Sequence, residues 1–389
     1  MVGYFPSLPF TFSINIYQFI IVKLFCMKKI VALVASFIFF VSLKVQSQGC
    51  VAVRSTGGVC MLGGSHDTVR TNWELYANNR YFRSFRHFRG SEEEENRVKE
   101  GTEVINHSYS LDLTLIRKLH NGWSVGFNLP VNANARSSMY EHGGNGGGAD
   151  GRHKTHSFGI GDVRLTVYKW LLDPAIAKAN VQLGVGIKLP TGDYKYQDYF
   201  IKNDSTRLLG PVDQSIQLGD GGTGFTTELN AYYNINHRIG LYGNVYYLFN
   251  PREHNGVSTS RGGPTSASSI LYRSDVMSVP DLFMARAGAS YTYKKFTFSG
   301  GVRIEGLPSS DLIGCDRGFR RPGYIISAEP AVTYMLKKTS FNLSIPFALK
   351  RNRTQSDSDK RLTADTGIHQ QGDAAFADYL VSAGVTFNF

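Results

Sequence analysis

The chain ends on an aromatic residue, and the run that it closes constrains the fold more than any other segment. Tyr379, Val381, Ala383, Val385, Phe387 and Phe389 fall on one face of that run, and Ser382, Gly384, Thr386 and Asn388 on the other. Successive side chains of a strand point to opposite faces. Such a strand meets hydrocarbon on one side and water on the other, with its last ring at the boundary. That is the requirement on the closing strand of a bacterial outer-membrane barrel.

The same alternation recurs upstream. Strands are expected from about Trp73 to Phe85, from Val104 to Leu119, and from Trp123 through Leu129, followed by runs around Val163–Val167, Val181–Ile187, Leu229–Ile235 and Leu241–Phe249. Leu282–Tyr293, Phe296–Ile304, Tyr324–Leu336 and Phe341–Phe347 precede the terminal run, and Pro330 within Tyr324–Leu336 requires a bulge or a rim position. Reversals such as His120-Asn121-Gly122 and Lys294-Lys295 follow the even-numbered strands. Long polar connections follow the odd-numbered ones, including 191–224, 251–280, 307–322 and 351–372. A soluble sandwich has no reason to gather its long loops at one end. The fold class is therefore all-β, a transmembrane antiparallel up-and-down β-barrel of about twelve strands.

Composition agrees. Aromatic residues make up 13% of the chain, with 25 Phe and 21 Tyr against 3 Trp, and there are 41 Gly. Interfacial girdles and strand glycines use such residues, and helix bundles do not. After residue 48 no apolar run approaches the roughly 18 residues of a spanning helix.

At the amino terminus, Met27-Lys28-Lys29, the apolar run Ile30–Val41 and the small-residue site Val45-Gln46-Ser47 read as a secretory signal. The domain plan is an upstream extension plus signal over 1–47, with Met27 as initiator, a periplasmic segment over 48–72, and the barrel over 73–389. A membrane anchor over Phe10–Val41 is the competing reading, although Lys23, Lys28 and Lys29 interrupt it. Cys50, Cys60 and Cys315 remain after cleavage. Cys50 and Cys60 can close a small disulfide loop in an oxidising compartment, either can pair with Cys315 instead, and lipidation of Cys50 stays open.

Two segments carry a resemblance. Gly159-Ile160-Gly161-Asp162 opens the fourth strand, Gly186-Ile187-Lys188-Leu189-Pro190-Thr191-Gly192-Asp193 closes the fifth, and Gly222-Thr223-Gly224 starts the sixth. This pattern, over roughly residues 155–250, resembles the outer-membrane transporter-like family named for phenol meta-pathway degradation clusters. The resemblance implies a channel or transporter for aromatic or other hydrophobic compounds.

If the apolar faces meet lipid, then Glu74, Arg80, Asp112, Arg164, Lys188, Glu228, Arg286, Arg303, Glu329 and Asp378 point inward as candidate lumen lining. Mixed charges in a narrow lumen either line a polar path or pair to brace the wall. His107 and Ser108 fall on opposite faces, which opposes a direct proton relay. His153 and His156 read as solvated residues of a glycine-rich loop, and Ser91–Asn96 as a hydrated acidic patch. Arg80, Arg83, Arg86 and Arg89 read as a strand end reaching the anionic outer leaflet. No catalytic residue, metal site or cofactor is expected, and no basic stripe with stacking aromatics points to nucleic acid.

The expected function is passive transport of small solutes across the outer membrane of a Gram-negative bacterium. Long loops would be extracellular, with short turns and the amino terminus periplasmic. Solute would meet a tyrosine rim of Tyr242, Tyr246, Tyr291 and Tyr293. Expected partners are outer-membrane lipid, lipopolysaccharide and, through the strand ending in Phe389, the barrel-assembly machinery. The rival readings are a structural or adhesive surface protein on a filled barrel and, more remotely, a lipid hydrolase using Ser108.

Overall fold

Along most of the wall the strands bury their polar side and expose their apolar side. On the third strand Ser124 and Asn128 are buried while Val125 and Phe127 are exposed, and on the fifth Gln182 is buried while Leu183 and Val185 are exposed. The pattern inverts that of a soluble protein, where buried polar groups are the exception. It fits a wall with hydrocarbon outside.

The computed structural model describes residues 72–143 and 151–389. The expected leader, the Cys50 and Cys60 alternatives and most of the 143–151 glycine run lie outside them. The wall is a closed antiparallel barrel of 12 strands. They are β1 Trp73–Arg89, β2 Ile105–Lys118, β3 Trp123–Ser138, β4 in two segments (His153–Ile160 and Arg164–Trp170), β5 Ala179–Lys188 and β6 Gly224–Asn234. The circuit continues through β7 Ile239–Phe249, β8 Leu282–Tyr293, β9 Phe296–Leu307, β10 (Gly323–Ala328 and Ala331–Met335), β11 (Thr339–Ser344 and Phe347–Arg353) and β12 Ala374–Asn388. Each strand pairs with its sequence neighbours, and β12 pairs with β1 from Glu74↔Asn388 to Phe88↔Ala374. At the seam Trp73 and Phe389 exchange both backbone hydrogen bonds at 3.0 Å, so the terminal aromatic closes the circle. In hydrocarbon every unpaired backbone group costs several kcal/mol, so only a closed sheet survives there.

Three strands are broken. β10 and β11 are interrupted at Glu329-Pro330 and Ile345-Pro346, which are neighbours in the wall because Ala331 pairs with Ser344. Proline lacks the N–H that the ladder needs, so the ladder opens at Pro330 and again at Pro346, with the register unchanged across the gap; the bulge lies elsewhere in β10, between Ile326 and Ser327. β4 is interrupted at 161–163, inside the resemblance motif.

The lumen is crowded. Glu329 accepts from Arg286 at 3.3 Å, Arg303 at 3.4 Å and Ser344 at 3.2 Å, while Arg303 also reaches Glu305 at 2.7 Å. Opposite, Arg164 spans two intervening strands to donate to the Tyr246 hydroxyl at 3.0 Å. Glu228 accepts from Tyr168 at 3.2 Å and Asn244 at 3.3 Å. Tyr rings lie flat on wall glycines: Tyr168 over Gly184, Tyr76 over Gly384, and the Tyr242 hydroxyl against Gly288 and Gly301.

This corrects the tyrosine rim. Tyr242 and Tyr246 are inside the barrel, with Tyr246 only 3% exposed. Tyr291 and Tyr293 are exposed beside the Lys294-Lys295 reversal, at the opposite end from the long loops. The acidic patch is also not merely hydrated: Arg86 binds Glu93, Arg89 meets Glu94 at 2.8 Å, and Lys99 meets Glu95 at 2.8 Å.

A methyl group built on Gly288 would stand 2.4 Å from the Gly300 carbonyl oxygen, whereas Gly300 has nothing within 4 Å. Gly288→Val is therefore expected to cost about 1–3 kcal/mol through overpacking, and Gly300→Val no more than about 0.5 kcal/mol. Urea unfolding in detergent, followed by the heat-modifiable gel shift, checks the difference. Equal losses would contradict the packing described.

Candidate functional site

The connection between β5 and β6 makes a hairpin of Gln197–Ile201 with Arg207–Pro211 and then turns inward. Its return limb, 212–220, enters the mouth of the lumen. Val212, Asp213 and Ile216 there are fully buried, and Leu218 is 5% exposed. Asp213 caps a single helical turn, Gln214–Ile216, by accepting from the Ser215 N–H at 2.9 Å. Ser157 of β4 donates to the Ile216 carbonyl at 2.5 Å, and Gln214 donates to the Ser278 carbonyl at 2.9 Å. The limb is a plug made from the protein's own loop.

The plug is clamped at its start by charge. Arg321, from the connection after β9, holds Asp213 through two bonds of 2.9 and 2.8 Å. Arg261, from the connection after β7, donates to the same carboxylate, and Arg136 of β3 lies 3.6 Å away. Glu141, after β3, meets Arg136 and Arg261 at 3.0 Å each. The Asp213 carboxylate thus ties the connection after β5 to β3 and to the connections after β7 and β9, and Glu141 brings in the connection after β3 through the shared arginines. Burial alone pushes the Asp213 carboxyl up, but Arg136, Arg321 and Arg261 hold it well below the usual carboxylate range. Arg136 and Arg261 likewise keep Glu141 ionised against its own burial.

The far end of the plug is held by the motif residues. Asp162 accepts from the Gly192 N–H at 3.0 Å and the Asp220 N–H at 3.2 Å, and Lys188 bridges Asp162 at 3.3 Å to Asp220. Thr191 donates to the Gly161 carbonyl and accepts from the Val163 N–H, both at 2.9 Å. A side chain at Gly219 would collide with Asp162, and one at Gly192 with the Leu218 backbone. The three segments of the resemblance therefore meet at one knot, where β4 breaks and the plug rejoins the wall.

Beneath the plug lies a cavity of about 220 Å³. Arg80, Ser110, Asn132 and Arg164 form its polar wall, and Leu248, Leu282, Leu307 and Tyr246 its apolar wall, with plug residue Leu218 also facing it. Tyr246, Leu248 and Met284 pack as a buried cluster with Leu282 against it. Apolar side chains on the inner face of a barrel depart from its rule, which makes this wall informative.

The candidate lumen residues divide accordingly. Arg164 and Lys188 line the cavity, and Asp112 pairs with its Arg80 at 2.9 Å. Glu228, Arg286, Arg303 and Glu329 belong to the buried bracing groups described above. Glu74 pairs with Lys118 at 3.1 Å at the short-turn end, and Asp378 sits half-exposed between Arg86 and Arg351, away from the cavity. Sequence reasoning missed the apolar wall and the plug. Leu248 shares the face of Asn244, and Leu282 that of Arg286, which is the signal that marks them. Ser108 donates to Asn134 at 2.7 Å on the inner face, while His107 meets Tyr81 at 2.8 Å on the outer one. His153 and His156 lie in β4 rather than in a loop. No group able to hold a metal occurs among the described residues.

His142 links the plug hairpin to the connection after β3, accepting from the Ile201 N–H at 3.0 Å and packing 5.4 Å from Phe200. Burial, with smaller contributions from His153 and Lys202, pushes its imidazole down to about 4 from the ordinary 6.5. A depressed value means that the fold favours the neutral ring. The contribution is complete above pH 6.5 and is lost as pH falls through about 4. A spin label at position 199, in a Cys315→Ser background, is therefore expected to gain mobility between pH 7 and pH 4, and less so in His142→Asn. Unchanged mobility across that window would refute the tether.

No protein-family model matches the chain, and no curated protein matches it either. Among solved structures it is similar to an outer membrane channel from Pseudomonas putida F1, at 10% identity, covering 84% of this chain and 98% of that one with a TM-score of 0.54. A Pseudomonas aeruginosa FadL homologue (10% identity, 88% and 100% covered, TM-score 0.42) and the Ralstonia pickettii toluene transporter TbuX (10%, 88% and 97%, 0.39) are more loosely similar. At these identities the likeness is one of fold, and the fold is that of an outer-membrane β-barrel.

Proposed function

We propose that the protein is a gated, non-enzymatic conduit for small amphipathic solutes, aromatic or otherwise hydrophobic, and that the plug is its gate. The observation that carries this is the apolar wall of Leu248, Leu282 and Leu307 inside an otherwise polar lumen, directly under a loop held by ion pairs. A cavity of about 220 Å³ suits a single small ring, since an apolar cavity of about 150 Å³ accepts benzene. The mixed lining suits a ring with a polar substituent. The resemblance to the phenol meta-pathway family agrees with that class without identifying a member. In this reading the long loops and the plug face outside, the short turns and amino terminus face the periplasm, and the strand ending in Phe389 is the segment offered to the assembly machinery.

The rival is a sealed barrel that anchors surface loops, favoured by the buried Arg286–Glu329–Arg303 group, which fills part of the lumen. Asp213→Asn separates the two. Removing one partner of a buried ion pair costs about 3–5 kcal/mol, because the remaining charges stay buried uncompensated. In planar bilayers the variant is expected to spend at least about tenfold more time conducting than the parent, a change of about 1.4 kcal/mol. A variant that folds yet stays silent would leave the anchor reading standing. Solute class is tested on the opened variant: millimolar benzyl alcohol is expected to reduce its conductance, and Leu248→Asn to relieve that block severalfold. Conductance indifferent to the alcohol would remove the aromatic part of the proposal.

A further inference from the structure

The outer face of β1–β4, near the long-loop end, carries a two-tier pattern that transport does not use. Backbone register places Tyr81 opposite Tyr109, Tyr109 opposite Ala133, and Ala133 opposite Phe158. All three rings are exposed, Phe158 at 69%. One step toward the loops, Arg83 stands opposite His107, His107 opposite Ala135, and Ala135 opposite His156, with Lys154 one outward position beyond. A row of rings is thus capped, on the side that faces lipid, by a tier with Arg83 at one edge, Lys154 at the other and two imidazoles between.

The height of this pattern fits a membrane boundary. Between Trp73 at the short-turn end and Tyr81, the strand rises about 26 Å, or about 20 Å along the normal at a tilt of about 40°. That approaches the apolar band of an outer-membrane barrel, so the rings mark the outer interface and the cations stand in the headgroup layer. Arg83 lies with its guanidinium 4.2 Å from the Phe85 ring centre. Neither Arg83 nor Lys154 has an ion pair among the described residues, whereas the arginines higher on β1, Arg86 and Arg89, are engaged by Glu93 and Glu94. His156 donates its backbone N–H to Asp198 at 2.7 Å, the carboxylate beside this row.

We propose that this patch binds the bis-phosphorylated disaccharide headgroup of lipopolysaccharide, with Arg83 and Lys154 as the phosphate-binding cations and Tyr81, Tyr109 and Phe158 against its acyl chains. Three strand spacings, about 14 Å, separate the strands that carry the two cations. That width matches phosphates at both ends of a disaccharide and exceeds what the single phosphodiester of a glycerophospholipid spans.

The full-length chain, folded into phosphatidylcholine nanodiscs, is loaded with bis-phosphorylated lipid A, with lipid A stripped of both phosphates, or with phosphatidylglycerol. Bound lipid is counted by native mass spectrometry. The parent is expected to retain the bis-phosphorylated form at least about tenfold over the other two, and Arg83→Gln/Lys154→Gln to lose that preference. Equal retention with and without phosphates, retention of phosphatidylglycerol as strong as that of lipid A, or an unchanged preference in the folded double variant would each overturn the proposal. If the double variant does not fold by gel shift, the parent's three-lipid comparison decides alone.

Discussion

Backbone amides have nowhere to go in hydrocarbon except to each other, and the rest of this structure follows from that. The circle must close, so β12 meets β1 over nearly its full length and the chain's last residue completes the seam with Trp73. Closure puts one side-chain face in lipid and the other in a lumen, so alternation becomes obligatory rather than merely favourable. It also explains where irregularity is tolerated. Pro330 and Pro346 break the ladder side by side, and Glu329 at that break sits between Arg286 and Arg303. The β4 break at 161–163 is likewise recovered, by Thr191 and Asp162 acting on the freed backbone.

The inside of such a cylinder is a limited volume that must be either wet or filled. Here much of it is filled by groups satisfying one another, with tyrosine rings on glycines at three places in the wall. That leaves the space under the plug as the informative exception, because most of the inner face is polar. Leu248 packs there with Tyr246, Met284 and Leu282, so the apolar wall is a cluster and not a stray residue. The apolar choice makes sense for a solute that is itself partly apolar.

How much of this could be read from sequence follows the range of the interaction. Strand placement and loop alternation rest on period two and on loop length, both local, and the twelve strands were legible from them. The motif segments were legible as a cluster, but their convergence was not, because Asp162, Gly192 and Asp220 meet only once the loop has folded back. The plug left a fainter trace: Val212, Ile216 and Leu218 have no strand or helix period, so they read as part of a polar connection. The Asp213 clamp was out of reach. Arg321 lies 108 residues away, and nothing local singles it out among 42 lysines and arginines. Glu93 and Glu94 are a different case, because Arg86 and Arg89 lie close by in sequence and the pairing needs only the tight reversal at Gly90.

The composition of the clamp bears on whether the plug is meant to stay. An apolar plug that leaves the lumen exposes Val212 and Ile216 to water and loses their burial outright. A charged clamp behaves differently, because Asp213, Glu141 and three guanidinium groups regain their hydration on leaving a buried site, and that gain offsets much of the lost attraction. Breaking the clamp piecemeal is costly, since each step strands an uncompensated charge, whereas releasing the connections together is not. A plug held this way therefore resists partial loosening and yields to concerted withdrawal. Its geometry supports the concerted route, since Asp213 touches the connections after β7 and β9 directly and the one after β3 through arginines shared with Glu141. Ion pairs also brace the wall at Glu329, so what distinguishes the clamp is its place, joining connections that can withdraw together and not two fixed strands.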